Sequence, residues 1–365
     1  MSEEIVDLTK GKISPMVRKK LESIDKPGRF IISPALIDIQ INGFSGIDFN
    51  DEKLKVEDIE YVSKVLAGQG IGFYCPTIIT NSEEKIDYLL NVIKQATEQF
   101  ELCKKMILGI HLEGPFISKE DGPRGAHPLE FVTAPNVKLI QRWKEISNNL
   151  VKIITVSPEW ENIDEFFDYC IKRNILVSIG HTSANTGQIE QAVRHGAACS
   201  THLGNGSHSL LKRHPNYIWD QLSYDQLYAS IIADGHHLPD NVIKIFAKVK
   251  KEKLILISDA TQFSGKQPGD YETLIGGKVT LTKEKRLYVA DHPEYLAGSA
   301  MGLLDILKYI KKSNVLDLEY AISCGTNHPM DMLKRVCKFN NDAIIVFYES
   351  EDDLEYLGTY DEVLD

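Results

Sequence analysis

The stretch ILVSIGHTSANTGQIEQAVRHGAACSTHLG, residues 175–204, reads as one repeating unit of a larger fold. It opens with a β-branched apolar run ending in His181, passes through a helical-period segment from Gly187 to His195, and closes with a short run ending in Thr201-His202-Leu203. Strand, amphipathic helix and parallel strand in that order make a βα crossover, whose strands are buried on both faces and therefore lack polar alternation.

Working outward, the same pattern recurs along most of the chain. Eight apolar runs are found: ALIDIQI (35–41), GFYCPTI (72–78), MILGIHLE (106–113), VKIITVS (151–157), ILVSIGH (175–181), ACSTHL (198–203), YASIIAD (228–234) and LILISDA (254–260). Between them lie helical segments such as Val56 to Ala67, Glu83 to Gln99, Val137 to Ile146, Ile163 to Lys172 and Pro239 to Val249. Eight alternations are the number that closes a (β/α)8 TIM barrel, whereas an open doubly wound sheet usually stops nearer six strands. The expected organisation is an α/β barrel over residues 35–320, with an N-terminal arm (1–34) and a C-terminal segment (321–365) pairing as a small accessory β-domain. The shortness of the arm would leave that domain reduced. Residues 270–297 read as hairpin strands inserted after the eighth barrel strand.

Composition narrows the function. A net charge of −11 disfavours nucleic acid and anionic membrane as partners, since both need a basic face. A small anionic ligand then requires a local cation. No apolar run approaches the roughly 20 residues that span a bilayer, and the first residues, MSEEIVDLTKGK, are acidic and polar. A cytoplasmic location is expected. The six cysteines are scattered without a C-x-x-C pair, and are expected to be buried free thiols.

Barrel enzymes carry their chemistry at the C-terminal ends of the strands. Here the third run ends in Glu113, the fifth in His181, the sixth in Thr201-His202-Leu203, and the eighth in Ser258-Asp259-Ala260. One carboxylate and two imidazoles from three strands suit a divalent metal ion and leave a position open for water. Such an ion lowers the pKa of water and polarises a carbonyl, which serves hydrolysis at neutral pH. Asp259, facing the same mouth, is then placed as the general base. Each of these residues taken alone is more often a hydrogen-bonded structural group; it is the set of four strand ends that carries the reading. His208 and His236 are read as loop packing or exposed, and His111 as directed away from Glu113.

The motifs HLEGPFIS (111–118), RGAHP (124–128), TVSPE (155–159), IGHTSA (179–184), THLGN (201–205), IADGHH (232–237), SDA (258–260) and LAGSAMG (296–302) together resemble those of the N-acetylglucosamine-6-phosphate deacetylases of the amidohydrolase superfamily. The resemblance runs in order from Pro34 to Gly302. It implies the same metal ligands, Glu113, His181 and His202, and the same acid/base, Asp259. It further implies that His127 holds the substrate carbonyl as charge develops, and that Asn205, Arg213 and His237 approach the substrate phosphate. Arg213 would supply the fork that a phosphate takes; without the resemblance it reads as a solvated loop arginine.

Two departures stand out. Where many amidohydrolases carry H-x-H on the first strand, this chain has Gln40-Ile41-Asn42; amides are poor zinc ligands, so one divalent ion is expected. Zinc is the expected metal, with iron, cobalt and manganese as alternatives. After His202 the chain reads Gly204-Asn205-Gly206-Ser207, in place of the family's bulkier residues, which would widen the sugar pocket or change which N-acyl amino sugar fits. The implied reaction is deacetylation of N-acetylglucosamine 6-phosphate. The alternatives are deacylation of another N-acyl amino sugar or N-acyl amino acid, and a catalytically silent barrel that binds the sugar phosphate. The resemblance also implies a homodimer, and leaves open whether Arg213 serves its own or its neighbour's site.

Overall fold

The computed structural model describes residues 4–9, 21, 28–273, 277–339, 341–359 and 362. Much of the expected arm 1–34, residues 274–276 of the hairpin segment and most of the residues after 359 therefore lie outside the described residues. All eight expected barrel strands form. They are Leu36–Ile41, Ile71–Ile79, Ile110–Glu113, Val151–Val156, Leu176–Ile179, Cys199–Ser200, Tyr228–Ile231 and Leu254–Leu256, hydrogen-bonded in sequence order as one parallel sheet. The third is shorter than the apolar run 106–113, because Met106 still belongs to the helix Glu101–Met106.

The barrel closes just beyond the eighth strand. Ile41 bridges Ala260 in parallel register, the Asp259 amide donates to the Gln40 carbonyl at 3.0 Å, and the Asn42 amide donates to the Ala260 carbonyl at 2.8 Å. This seam sets Asp259 beside the first strand. An apolar cluster that includes Ile37, Ile39, Ile153, Leu176, Tyr228 and Ile255 fills the interior, with Met332 and Leu333 packed into it. Both come from the helix Asn327–Leu333, which plugs the end opposite the mouth.

The outer helices form where the periodicity predicts them. Over Glu83–Gln99, the Ser82 side chain accepts from the Lys85 amide, two glutamates occupy the first turn, and Ile86, Leu89, Leu90 and Ile93 face inward. Over Thr186–Arg194, Asn185 and Gln188 close a reciprocal capping box.

The chain ends do pair. Glu4–Asp7 lies parallel to Arg29–Pro34, which pairs antiparallel with Ile344–Glu349 and through it with Leu354–Thr359. The cut expected at 320/321 falls inside the helix Leu318–Cys324, whose buried Leu318, Ala321 and Ile322 join the main core. The strands Gly269–Thr273, Gly277–Leu281, Leu287–Val289 and His292–Leu296 form a separate antiparallel sheet after the eighth barrel strand, as read from the sequence. All six cysteines are buried and free. Among the described residues no helix is long and apolar enough to cross a membrane.

Candidate active site

Four residues read from strand ends meet at one mouth. Glu113 closes its strand, and His181, His202 and Asp259 lie just past theirs, with φ of 48°, 29° and 48°. Side chains other than glycine rarely adopt this left-handed region, at a cost of about 1–3 kcal/mol each. Here the turn swings each side chain over the barrel axis. Glu113 Oε1 lies 3.1 Å from His181 Nε2 and 2.9 Å from His202 Nε2, and the two nitrogens are 3.0 Å apart. All three residues are buried.

The donor set fits a cation. His181 Nδ1 donates to the Pro123 carbonyl at 2.8 Å, so the neutral ring presents a bare Nε2 lone pair to a carboxylate oxygen and to a second imidazole. Three electron-rich atoms packed this closely need positive charge among them. Ligands about 2.1 Å from a tetrahedral ion stand about 3.4 Å apart, close to the observed separations. His202 Nδ1 is buried without a hydrogen-bond partner among the described residues, so its ring lacks the outer support that His181 has. His127 stands near enough to offer a ligand atom within 4.8 Å of those of Glu113 and His181. The His202 nitrogen approaches both residues more closely, which favours it as the third ligand.

Burial and charge set the protonation states. Burial opposes the Glu113 charge, but the His181 and His202 rings packed against it hold this carboxyl well below the usual range. Burial, with the Glu113 charge adding to it, pushes Asp259 up to about 6. Burial likewise lowers His127 to about 3. The His127 ring lies 4.4 Å from that of His181, and its Nδ1 meets Thr80 Oγ1 at 2.8 Å. The Thr80 hydroxyl also reaches the Glu113 carbonyl, at 3.4 Å.

The residues implied by resemblance are placed unequally. Asn205 Nδ2 donates to the His202 carbonyl at 3.3 Å. His237 Nδ1 meets Asp234 Oδ2 at 2.7 Å. Arg213 is exposed, and its guanidinium makes no hydrogen bond or ion pair among the described residues. His208 bonds Tyr217 and Glu120, and His236 bonds the Glu284 carbonyl, in keeping with loop packing.

Two expectations change. His111 points to the same side as Glu113, into the barrel, where it contacts the Ile39 carbonyl and Thr155; residues two apart on a strand share a face. The glycines after His202 are also more than missing bulk. Gly206 has φ of 54°, and a Cβ there would lie 2.7 Å from His181 Nδ1, so the loop backbone packs directly on the ligand ring.

Some supporting groups had been assigned no role. Gln40 Nε2 reaches both Glu113 Oε1 at 2.8 Å and Asp259 Oδ1 at 3.2 Å, and Asn42 Nδ2 donates to the same Asp259 oxygen at 2.7 Å. Thr80 lies two residues beyond the apolar run 72–78, and attention to polar residues just past that run would have found it. The Pro123 carbonyl has no side-chain signal to find.

Known proteins resemble this chain along most of its length. The sequence pattern of the amidohydrolase family matches residues 31–281. The chain is 33% identical to an N-acetylglucosamine-6-phosphate deacetylase of Caenorhabditis elegans, over 83% of this chain and 74% of that protein. It is 30% identical to one of Bacillus subtilis, over 84% of this chain and 78% of that protein. The crystal structure of an N-acetylglucosamine-6-phosphate deacetylase from Pasteurella multocida superposes with a TM-score of 0.77 at 24% identity, covering 91% of this chain and 85% of that one. That likeness bears on the fold.

Proposed function

Because this chain belongs to the amidohydrolase family and, within it, to the N-acetylglucosamine-6-phosphate deacetylases, we propose that it hydrolyses N-acetylglucosamine 6-phosphate to glucosamine 6-phosphate and acetate. The observation that carries the reading is the convergence of Glu113, His181 and His202 within 2.9–3.1 Å beside the carboxyl of Asp259.

A single divalent ion held by Glu113, His181 and His202 would supply an acidified water and a polarised amide carbonyl. The remaining work falls to the chain. Asp259 accepts the proton of the attacking water and delivers it to the departing amine as the C–N bond breaks. A carboxyl raised to about 6 exchanges a proton readily near neutrality. Asn42 and Gln40 hold one oxygen of that carboxyl and leave the other for the proton. His127 helps hold the carbonyl oxygen as negative charge gathers there. Asn205, Arg213 and His237 bind the phosphate, with Arg213 supplying the cation that an acidic protein needs for an anionic substrate.

Zinc is the proposed metal, since one carboxylate and two imidazoles suit it, and iron, cobalt or manganese would bind the same set. A cytoplasmic homodimer, and a barrel with an accessory unit drawn from the two chain ends, complete the proposal. A second reading, deacylation of another N-acyl amino sugar at the same metal centre, is favoured by the Gly204–Ser207 loop. Hydrolysis of the acetylated sugar with and without its phosphate, in wild type and Arg213→Ala, separates the two. The proposed function requires a strong phosphate preference that the variant loses. Equal turnover of both sugars by the wild type would favour the second reading.

A further inference from the structure

Beneath the ligand layer, a row of buried polar side chains crosses the barrel interior. His111 Nδ1 meets the Ile39 carbonyl at 3.1 Å and its Nε2 meets Thr155 Oγ1 at 2.8 Å. Thr155 Oγ1 lies 2.8 Å from Thr201 Oγ1, which lies 2.6 Å from Ser178 Oγ. Every member is at most 4% exposed. The protein thus buries four polar side chains where apolar ones would fill the barrel, at a desolvation cost that only complete pairing offsets.

The pairing has one consistent direction. A carbonyl only accepts, so the Ile39 oxygen takes the Nδ1 proton. The neutral ring then accepts at Nε2 from the Thr155 hydroxyl, Thr155 accepts from Thr201, and Thr201 accepts from Ser178. Four donors run head to tail from the fifth strand to the first. On this path lie the three strands that supply the candidate ligands. His111 is two residues before Glu113, Ser178 three before His181, and Thr201 immediately before His202. A second contact couples the row to His181. Gly180, its neighbour, is packed so closely that a Cβ would lie 2.7 Å from Thr201 Cβ and 2.8 Å from Thr155 Cγ2.

We infer that the His111–Thr155–Thr201–Ser178 chain is a positioning network for the metal centre, fixing the relative register of the strands that deliver Glu113, His181 and His202. The inference rests on the metal-ligand assignment of the proposed function but not on the identity of the substrate. None of the four touches the reacting atoms; they act through the ligands. Because Thr155 sits between two partners, its loss breaks the chain in the middle, leaving His111 Nε2 without its donor and the Thr201 hydroxyl without its acceptor.

The test is the zinc dissociation constant, measured by competition with a chromophoric chelator, alongside the melting temperature of the metal-free protein. Thr155→Val should weaken zinc binding about 10-fold, the lower end for lost outer support of metal ligands. Thr155→Ser, which restores the hydroxyl, should bind zinc as the wild type does. Ser178→Ala, which removes only the terminal donor, should weaken zinc in the same direction and serves if Thr155→Val does not fold. A purely structural role would lower the melting temperature and leave zinc affinity unchanged in the folded variants, and that result overturns the inference. A wild type that takes up no zinc would overturn it together with the metal assignment. Zinc binding that depends on Thr155 without acetate release would sustain it and count only against the proposed reaction.

Discussion

The side-chain amide of Asn42 donates to Oδ1 of Asp259 across 2.7 Å, from just past the first barrel strand to just past the eighth. Together with Gln40 it fixes one carboxyl oxygen and so orients the other. Asn42→Ala should therefore lower kcat about 10–100-fold, the worth of a hydrogen bond to a charged group, with KM and bound metal little changed. Steady-state kinetics with metal analysis checks this. A change confined to KM would contradict it.

Removing the charge at the centre should release the metal. Glu113→Gln keeps the shape of the side chain but sets a neutral amide where His181 Nε2 and His202 Nε2 converge. Zinc affinity should fall by at least about 100-fold, read by chelator competition. Retention of stoichiometric zinc after dialysis would argue against Glu113 as a ligand.

At the opposite end of the barrel, Lys250 is buried, and its ammonium donates to the carbonyls of Gln221, Tyr224 and Leu227 at 2.7, 2.9 and 3.1 Å. Lys250→Met removes the one buried donor that these three carbonyls share. A stability loss on the order of 3 kcal/mol is expected, with turnover per folded molecule unchanged. Denaturant unfolding and an activity assay below the transition measure the two effects separately.

Acid should destabilise the fold partly through His111. Burial lowers this imidazole from its ordinary 6.5 to about 4, so between those values the unfolded chain binds a proton that the folded chain refuses. Stability is therefore intact above the ordinary value and lost as pH falls towards the folded one. Between pH 7 and pH 5, the metal-free wild type should lose about 2 kcal/mol more than His111→Asn. Equal losses in urea unfolding would show that the ring is not held neutral by the fold.

How much of this was legible in the sequence follows from where the forces act. Buried parallel strands write themselves as uninterrupted apolar runs, and helices packed on them as 3.6-residue periods, so the eight strands and the helix Val56–Ala67 could be read directly. Glu113, His181, His202 and Asp259 were legible because a polar residue at the end of an apolar strand has few reasons to be there. The roles of Gln40 and Asn42 were not, since they depend on the seam between the first and eighth strands, some 220 residues apart in the chain. The direction of His111 needed only the two-residue period of a strand. Nothing in the sequence reveals that the Pro123 carbonyl fixes the His181 tautomer, because any residue supplies a carbonyl. The exposed loop around Arg213 is set by no burial pattern, and its position relative to the mouth had no sequence signal beyond resemblance.

The most direct measurement is acetate release from N-acetylglucosamine 6-phosphate by metal-loaded wild type and Asp259→Asn, with bound metal quantified in the same samples. The account predicts rapid release by the wild type, and a loss of about 1,000-fold or more in the variant at undiminished metal content. Near-normal acetate release by metal-loaded Asp259→Asn would contradict it.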